Sequence, residues 1–239
     1  MRGLKVVLDF LYPKRCPICE NIVIPKGRLI CRTCYEELPF VVEPRCKKCG
    51  KPLGNMEKEY CYDCEKKTFH YESGYGLWIY DGKMKNSMSA FKYRGKREYA
   101  DFFGQELLLN YKNWIQAMGI QVIVPVPIHN KKLRKRGYNQ AGLLAEIVGR
   151  GTGIPVEEQL ERCINTKPQK VLDNRERIYN LQNAFRINQK KKFPTRDKII
   201  LLIDDIYTTG STIEICTNAL LEAGADKVFF LCLFIGKGY

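Results

Sequence analysis

In the second half of the chain, apolar and polar positions alternate between two periods. "QVIVPVP" (121–127) and "IILLI" (199–203) are short apolar runs of strand length, and "KVFFLCLFI" (227–235) is a third. Between them, "NQAGLLAEIVGR" has apolar residues at 143, 144, 147 and 148, and "TIEICTNALLEAG" at 213, 216, 220 and 221, each the spacing of one helix face. Gly224 predicts the stop of the second helix. Strands apolar along their whole length predict burial on both sides. With helices between them, they predict a parallel, doubly wound α/β sheet with helices on both faces.

Upstream the pattern changes. "YGLWIY" predicts a strand ended by Asp81-Gly82, and "MKNSMSAFKYRGKREYADFFGQELL" predicts two helices around a break at Gly95. Residues 162–198 are polar, basic and weakly patterned, which predicts a long mobile loop followed by a hairpin. Residues 1–70 have little apolar periodicity. The division expected is therefore a small domain over 1–70 and an α/β domain over 71–239.

Cysteine explains the first segment. Of eleven cysteines, eight form the C-x-x-C pairs "CPIC", "CRTC", "CKKC" and "CYDC", starting at 16, 31, 46 and 61, a fixed step of fifteen residues. A two-residue spacer lets both sulfurs of a pair reach one ion, so the expectation is two structural zinc sites of four thiolates each, with the metals as the core of the module. Consecutive pairing gives Cys16, Cys19, Cys31 and Cys34, then Cys46, Cys49, Cys61 and Cys64; interleaved pairing stays open. Cys163, Cys216 and Cys232 lie among apolar neighbours and read as inert core residues.

The formal net charge is +14. Residues 1–70 carry fourteen Lys and Arg against nine Asp and Glu, and zinc on eight thiolates would bring that module near +1. The positive excess then belongs mainly to the larger domain and favours polyanionic partners. The longest apolar run, Val228–Ile235, is far short of a membrane span. "LKVVLDFLYP" is broken by Asp9 and followed by no small-residue cleavage site, so a cytoplasmic protein without membrane insertion is expected.

"IILLIDDIYTTGST" (199–212) carries the most specific chemistry. In an open α/β sheet, ligands sit beyond the carboxyl ends of the strands. Thr208, Thr209, Gly210, Ser211 and Thr212 offer backbone N–H groups, hydroxyls and a helix N-terminus to one anion. No Lys follows the glycine, which disfavours a nucleoside triphosphate. Asp204 and Asp205 must address another part of the ligand, and vicinal hydroxyls suit two acceptors. A phosphate beside a diol describes ribose 5-phosphate.

This stretch resembles the phosphoribosyl-pyrophosphate (PRPP) motif of type I phosphoribosyltransferases: four apolar residues, two acidic residues, then T-T-G-x-T. The resemblance assigns Asp204 and Asp205 to the ribose 2′- and 3′-hydroxyls, Thr208–Thr212 to the 5′-phosphate, and Mg2+ to the bound PRPP. The cysteine-rich start, "FKYRGKREYADFFG", "VPVPIHNKKLRKRGYNQAGLLA" and "NRERIYNLQNAF" resemble the ComF/GntX branch, bacterial proteins tied to natural competence and DNA use. Tyr207 departs from the motif, where a small or aliphatic residue is commoner.

"KKLRKRG" presents Lys131, Lys132, Arg134, Lys135 and Arg136, which can neutralise pyrophosphate or a nucleic-acid backbone. Lys131, Arg134 and Arg136 are the candidates for an anion contact, and Asn139 for the cap of the next helix. By the resemblance, Pro127–Asn130 is the pyrophosphate loop, and Arg175 and Arg177 lie in a hood loop that closes over PRPP. "KYRGKR" places Lys92, Arg94, Lys96 and Arg97 around Tyr93, cations and a ring for single-stranded DNA. Two readings follow: a competence protein that handles single-stranded DNA with PRPP as ligand, partnered by a DNA-uptake helicase or other competence protein, or a phosphoribosyltransferase acting on an unidentified nitrogen acceptor. No base-reading segment marks the acceptor. A PRPP-sensing regulator is a third possibility.

Overall fold

The structure is a computed structural model that describes residues 13–25, 27–163, 184–188 and 196–238. After two short helices, α1 (Arg32–Glu36) and α2 (Tyr62–Lys66), the order is β1 (Gly74–Ile79), α3 (Gly82–Tyr93), α4 (Tyr99–Ala117), β2 (Val122–Pro125), α5 (Asn130–Arg136), α6 (Gln140–Thr152), β3 (Leu160–Arg162), β4 (Phe185–Ile187), β5 (Ile199–Tyr207), α7 (Ser211–Glu222) and β6 (Lys227–Ile235). Strands β1, β6, β5 and β2 form one sheet in that order, with every pairing parallel. Gly95, at φ 69°, makes the expected break between α3 and α4.

Both faces of the sheet are covered, as uninterrupted apolar strands require. Leu201, Ile203, Phe229, Leu231 and Leu233 pack with residues of α3, α4 and α6, among them Phe91, Phe103 and Leu144. Ile200, Leu202, Val228, Phe230 and Cys232 pack on the other face with Ile213, Cys216 and Leu220 of α7. Thr217 is buried on α7 where the apolar spacing had placed Leu221, which is half-buried. Among the described residues, no helix is long and apolar enough to cross a membrane.

The cysteine module is more than its metals. Val41 N–H donates to Leu77 O and Ile79 N–H to Pro39 O, which fastens the segment between the two cysteine groups onto edge strand β1. The first group, with Val23, Ile30 and Leu38, joins the core on the α3/α4 face; the second, with Leu53, Phe69 and Tyr71, joins the core on the α7 face. The module straddles the sheet edge and feeds both layers.

Of residues 162–198, expected as a loop followed by a hairpin, the described part includes an antiparallel pairing of β3 with β4, with Leu160 opposite Ile187 and Arg162 opposite Phe185; the rest of that expectation lies outside the described residues. Cys216 and Cys232 are buried as expected, whereas Cys163 is exposed, because it follows the short strand β3 at the surface.

Candidate functional site

The two cysteine groups are copies of one local plan. Cys16 N–H donates to Asn21 O and Cys46 N–H to Lys51 O, closing a knuckle around the first pair. Cys31 and Cys61 then stand at the N-terminal ends of α1 and α2, which carry the fourth thiols, Cys34 and Cys64. The grouping is consecutive: Cys16, Cys19, Cys31 and Cys34 in one set, Cys46, Cys49, Cys61 and Cys64 in the other, each with its sulfurs within 4.8 Å of one another. A tetrahedral zinc with bonds of about 2.3 Å sets sulfur–sulfur separations of about 3.8 Å. The separations are 3.7 Å for Cys19–Cys31, 3.6 Å for Cys16–Cys31 and 3.6 Å for Cys49–Cys61, so both donor sets fit zinc.

The second constellation lies at the carboxyl end of the sheet. Strand β5 continues through both aspartates to Tyr207, four residues past the apolar run, so the acidic pair is strand rather than loop. Successive strand residues point to opposite faces. Asp205 reaches α3, where its Oδ1 and Oδ2 accept from Lys92 Nζ at 2.9 and 2.8 Å. Asp204 accepts from the Asp205 backbone N–H at 2.7 Å. Burial, together with the charge of Asp205, pushes the Asp204 carboxyl up to about 7, against the opposing pull of Lys92 and Arg162. Burial works against the Lys92 charge, but Asp205 outweighs it and holds the ammonium above its ordinary pKa. The adjacency of the carboxylates is thus relieved by one cation committed to Asp205.

Past Tyr207 the chain turns through Thr208 and Thr209, both exposed, to Gly210. Gly210 precedes α7 at φ 81°, the left-handed region that favours glycine. A Cβ there would lie 2.6 Å from Tyr207 Oη and 2.9 Å from Phe69 Cε1. Thr209 Oγ1 and Ser211 Oγ are 3.1 Å apart, and Ser211 and Thr212 are half-buried in the first turn. The loop therefore presents hydroxyls and helix-start amides at the same strand end as the carboxylates.

The R-G-Y-N-Q element has intramolecular partners at each side chain. Tyr138 Oη donates to Phe91 O at 2.5 Å and Gln140 Nε2 to the same carbonyl at 3.2 Å. Asn139 stands before α6 as predicted but its side chain makes no cap; Nδ2 donates to Val126 O at 3.0 Å and fastens the loop after β2. Arg136 bonds Gln140, and its guanidinium sits 5.3 Å from the centroid of the exposed Tyr93 ring. The element clasps the end of α3, the turn that carries Lys92.

Of the other cations, Lys131, Arg134 and Lys135 are exposed on α5. Lys132 is exposed as well but lies within electrostatic reach of Lys92, Asp205 and Arg162; partial desolvation and then Arg162 lower its pKa. His129 precedes α5, where Nδ1 accepts from Lys131 N–H at 3.1 Å, and burial followed by Lys131 lowers its pKa. Arg94 pairs with Glu20 and Lys96 with Glu98, while Arg97 is exposed. Lys92 stands apart from the four neighbours grouped with it in sequence, because only it turns inward. Arg175 and Arg177 lie outside the described residues.

The sequence reading missed three contributors: Lys92 as a partner of Asp205, Arg162 near Asp204, and the strap Phe69–Tyr71 behind Gly210. None carries a motif; each is brought in by a separate element. A cavity of about 570 Å³ adjoins the site, lined by Pro127, His129, Leu143, Glu158, Glu161 and Arg162 among others.

Residues 7–65 match the family described as Double zinc ribbon domain. Over most of its length the chain is 29% identical to Competence protein ComFC of Bacillus subtilis strain 168, across 82% of this chain and 79% of that one. Competence protein F of Haemophilus influenzae is 29% identical across 90% and 93% of the two chains. Over most of its length the chain is thus similar to competence proteins of the ComF type. DNA utilization protein YhgH of Escherichia coli K12 is another relative, 29% identical across 92% and 96%. Among solved structures, purine phosphoribosyltransferase from Pyrococcus horikoshii Ot3 is 19% identical over 57% of this chain and 73% of that chain, at a TM-score of 0.33, too low to bear on function.

Proposed function

We propose that the carboxyl end of β5 and the start of α7 bind PRPP with Mg2+, in a cytoplasmic protein that handles single-stranded DNA. One observation carries the ligand reading. A carboxylate pair with its own half-buried cation runs directly into a hydroxyl loop, whose glycine adopts φ 81° at the start of a twelve-residue helix. Asp204 and Asp205 take the ribose hydroxyls, residues 208–212 the 5′-phosphate. Mg2+ would offset part of the diphosphate charge when PRPP is bound. Lys132 and Arg162, both near the carboxylates, join Lys131, Arg134 and Arg136 as candidate pyrophosphate contacts.

The DNA reading is supported by the relatives' names and by an exposed surface. Tyr93 is 73% exposed beneath Arg136, with Arg97, Lys131 and Arg134 exposed nearby in sequence and on α5. A ring and cations suit a single strand. Calorimetry with magnesium and PRPP should detect one site that Asp204→Ala plus Asp205→Ala abolishes; unchanged binding would overturn the ligand reading. Single-strand affinity should fall steeply with salt and weaken in Arg134→Glu plus Arg136→Glu. Binding insensitive to both would overturn the DNA reading.

The cavity beside His129 and Arg162 favours a second reading, a transferase whose nitrogen acceptor occupies it. Pyrophosphate release from PRPP with a library of bases tests that reading directly.

A further inference from the structure

The second cysteine group and the hydroxyl loop share a wall. Five residues after Cys64, the chain enters Phe69, His70 and Tyr71 on its way to β1. Phe69 stacks on Tyr71, with ring centroids 5.2 Å apart, and its edge closes off the space behind Gly210. Tyr71 and Tyr207 hydroxyls are 2.7 Å apart and buried, and Tyr207 lies flat on Phe230 at 4.7 Å. His70 N–H donates to Glu214 Oε2 at 2.9 Å, and its ring Nδ1 meets the other oxygen of that carboxylate. Glu214 is the acidic residue of the first turn of α7. It would compete with a bound anion for the field of the helix N-terminus; bonded to His70, it is occupied elsewhere.

The same wall is tied to the metal-binding knuckle. Lys51, which accepts the Cys46 N–H on its carbonyl, is 4% exposed; its Nζ pairs with Asp63 at 2.9 Å and lies 5.7 Å from the Tyr207 ring centroid. Asp63 sits between the metal-binding thiols Cys61 and Cys64. Losing the metal would leave four packed thiols unbridged and loosen this knuckle, because metal binding and folding are coupled at such sites.

We infer that Phe69, His70 and Tyr71 are positioning residues for the hydroxyl loop, so that zinc in the second cysteine group and ligand at residues 208–212 favour each other. The first group packs on the α3 face, where Glu20 pairs with Arg94, and the strap packs in the other core layer, so the first group lies outside this coupling. The inference rests on the PRPP reading of the loop. Its two states are the metal-bound knuckle, with the strap against Gly210, and the metal-free knuckle, with the strap released.

Coupling is reciprocal, so the ligand must slow metal loss from one group and not the other. The test uses the full-length zinc-loaded chain, challenged with a chelator with and without saturating magnesium–PRPP. Thiol alkylation is then followed by mass spectrometry on peptides of each group. Peptides holding Cys46–Cys64 should be protected at least about fivefold longer with ligand, and those holding Cys16–Cys34 should react at the same rate. His70→Ala plus Tyr71→Phe should still hold two zinc ions and lose the difference; full protection in that variant would overturn the strap's role. If calorimetry on the same sample shows PRPP bound while both groups react alike, the coupling is wrong and the ligand reading survives. No binding by the unaltered chain would overturn both.

Discussion

The two cysteine groups use one plan thirty residues apart, yet they are held differently. In the first, Cys19 is exposed and Cys31 half-buried; in the second, Cys46, Cys49 and Cys61 are all buried. The knuckle position with positive φ is Glu20 at 62° in one and Gly50 at 72° in the other. Glu20 has room for its side chain and reaches Arg94 on the surface. A Cβ on Gly50 would come within 2.6 Å of Gly74 O and 2.9 Å of Tyr75 Cα, because this knuckle is wedged against β1. Equal donor sets therefore do not imply equal roles: the first braces the α3 face, while the second backs the hydroxyl loop.

The largest contrast should come from the thiols. Cys46→Ser plus Cys49→Ser should cost one zinc and weaken magnesium–PRPP binding about 100-fold, whereas Cys16→Ser plus Cys19→Ser, for the same metal loss, should change affinity about twofold. Metal analysis and calorimetry on the same samples check this, and equal effects would erase the comparison. Next come the knuckle residues. Gly50→Ala should destabilise by about 3 kcal/mol through strain and backbone contact, against less than about 1 kcal/mol for Glu20→Ala, whose ion pair is half-exposed. Denaturant melts measure both.

The acidic pair offers a smaller contrast of the same kind. Asp204 is raised to about 7 by burial and by Asp205. An unfolded Asp ionises near 4, so between about pH 4 and pH 7 the native state holds an extra proton and stability falls as pH rises. Asp204→Asn should remove that fall and raise stability at pH 8 by on the order of 2 kcal/mol. A pH series of melts with a slope unchanged from the parent would contradict the assignment. The smallest effect belongs to the tyrosine hydroxyls. Tyr71→Phe or Tyr207→Phe should each cost about 1 kcal/mol by stranding the partner hydroxyl, and the double variant less than the sum.

Much of this was legible along the chain. Continuous apolar strands, helical spacing and Gly224 gave the parallel sheet, and the fifteen-residue step gave both cysteine groups. Spacing alone left consecutive and interleaved pairing open; that is decided by which knuckles face each other in space. What escaped reading was contact across layers. Lys92 looked like one of four surface cations, and only the packing of α3 beside β5 turns it to Asp205. Tyr207 looked like a tolerated departure, and its role depends on Tyr71, 136 residues away. Asn139 had the residue type of a cap, but the Val126 carbonyl lies within its reach.

The most direct test of the central claim is magnesium–PRPP affinity measured while zinc is withdrawn stepwise from the full-length chain, with each group's metal state followed by thiol alkylation. Tight binding should survive emptying of the first group and collapse as the second empties. Affinity that follows the first group, or neither, would contradict that claim.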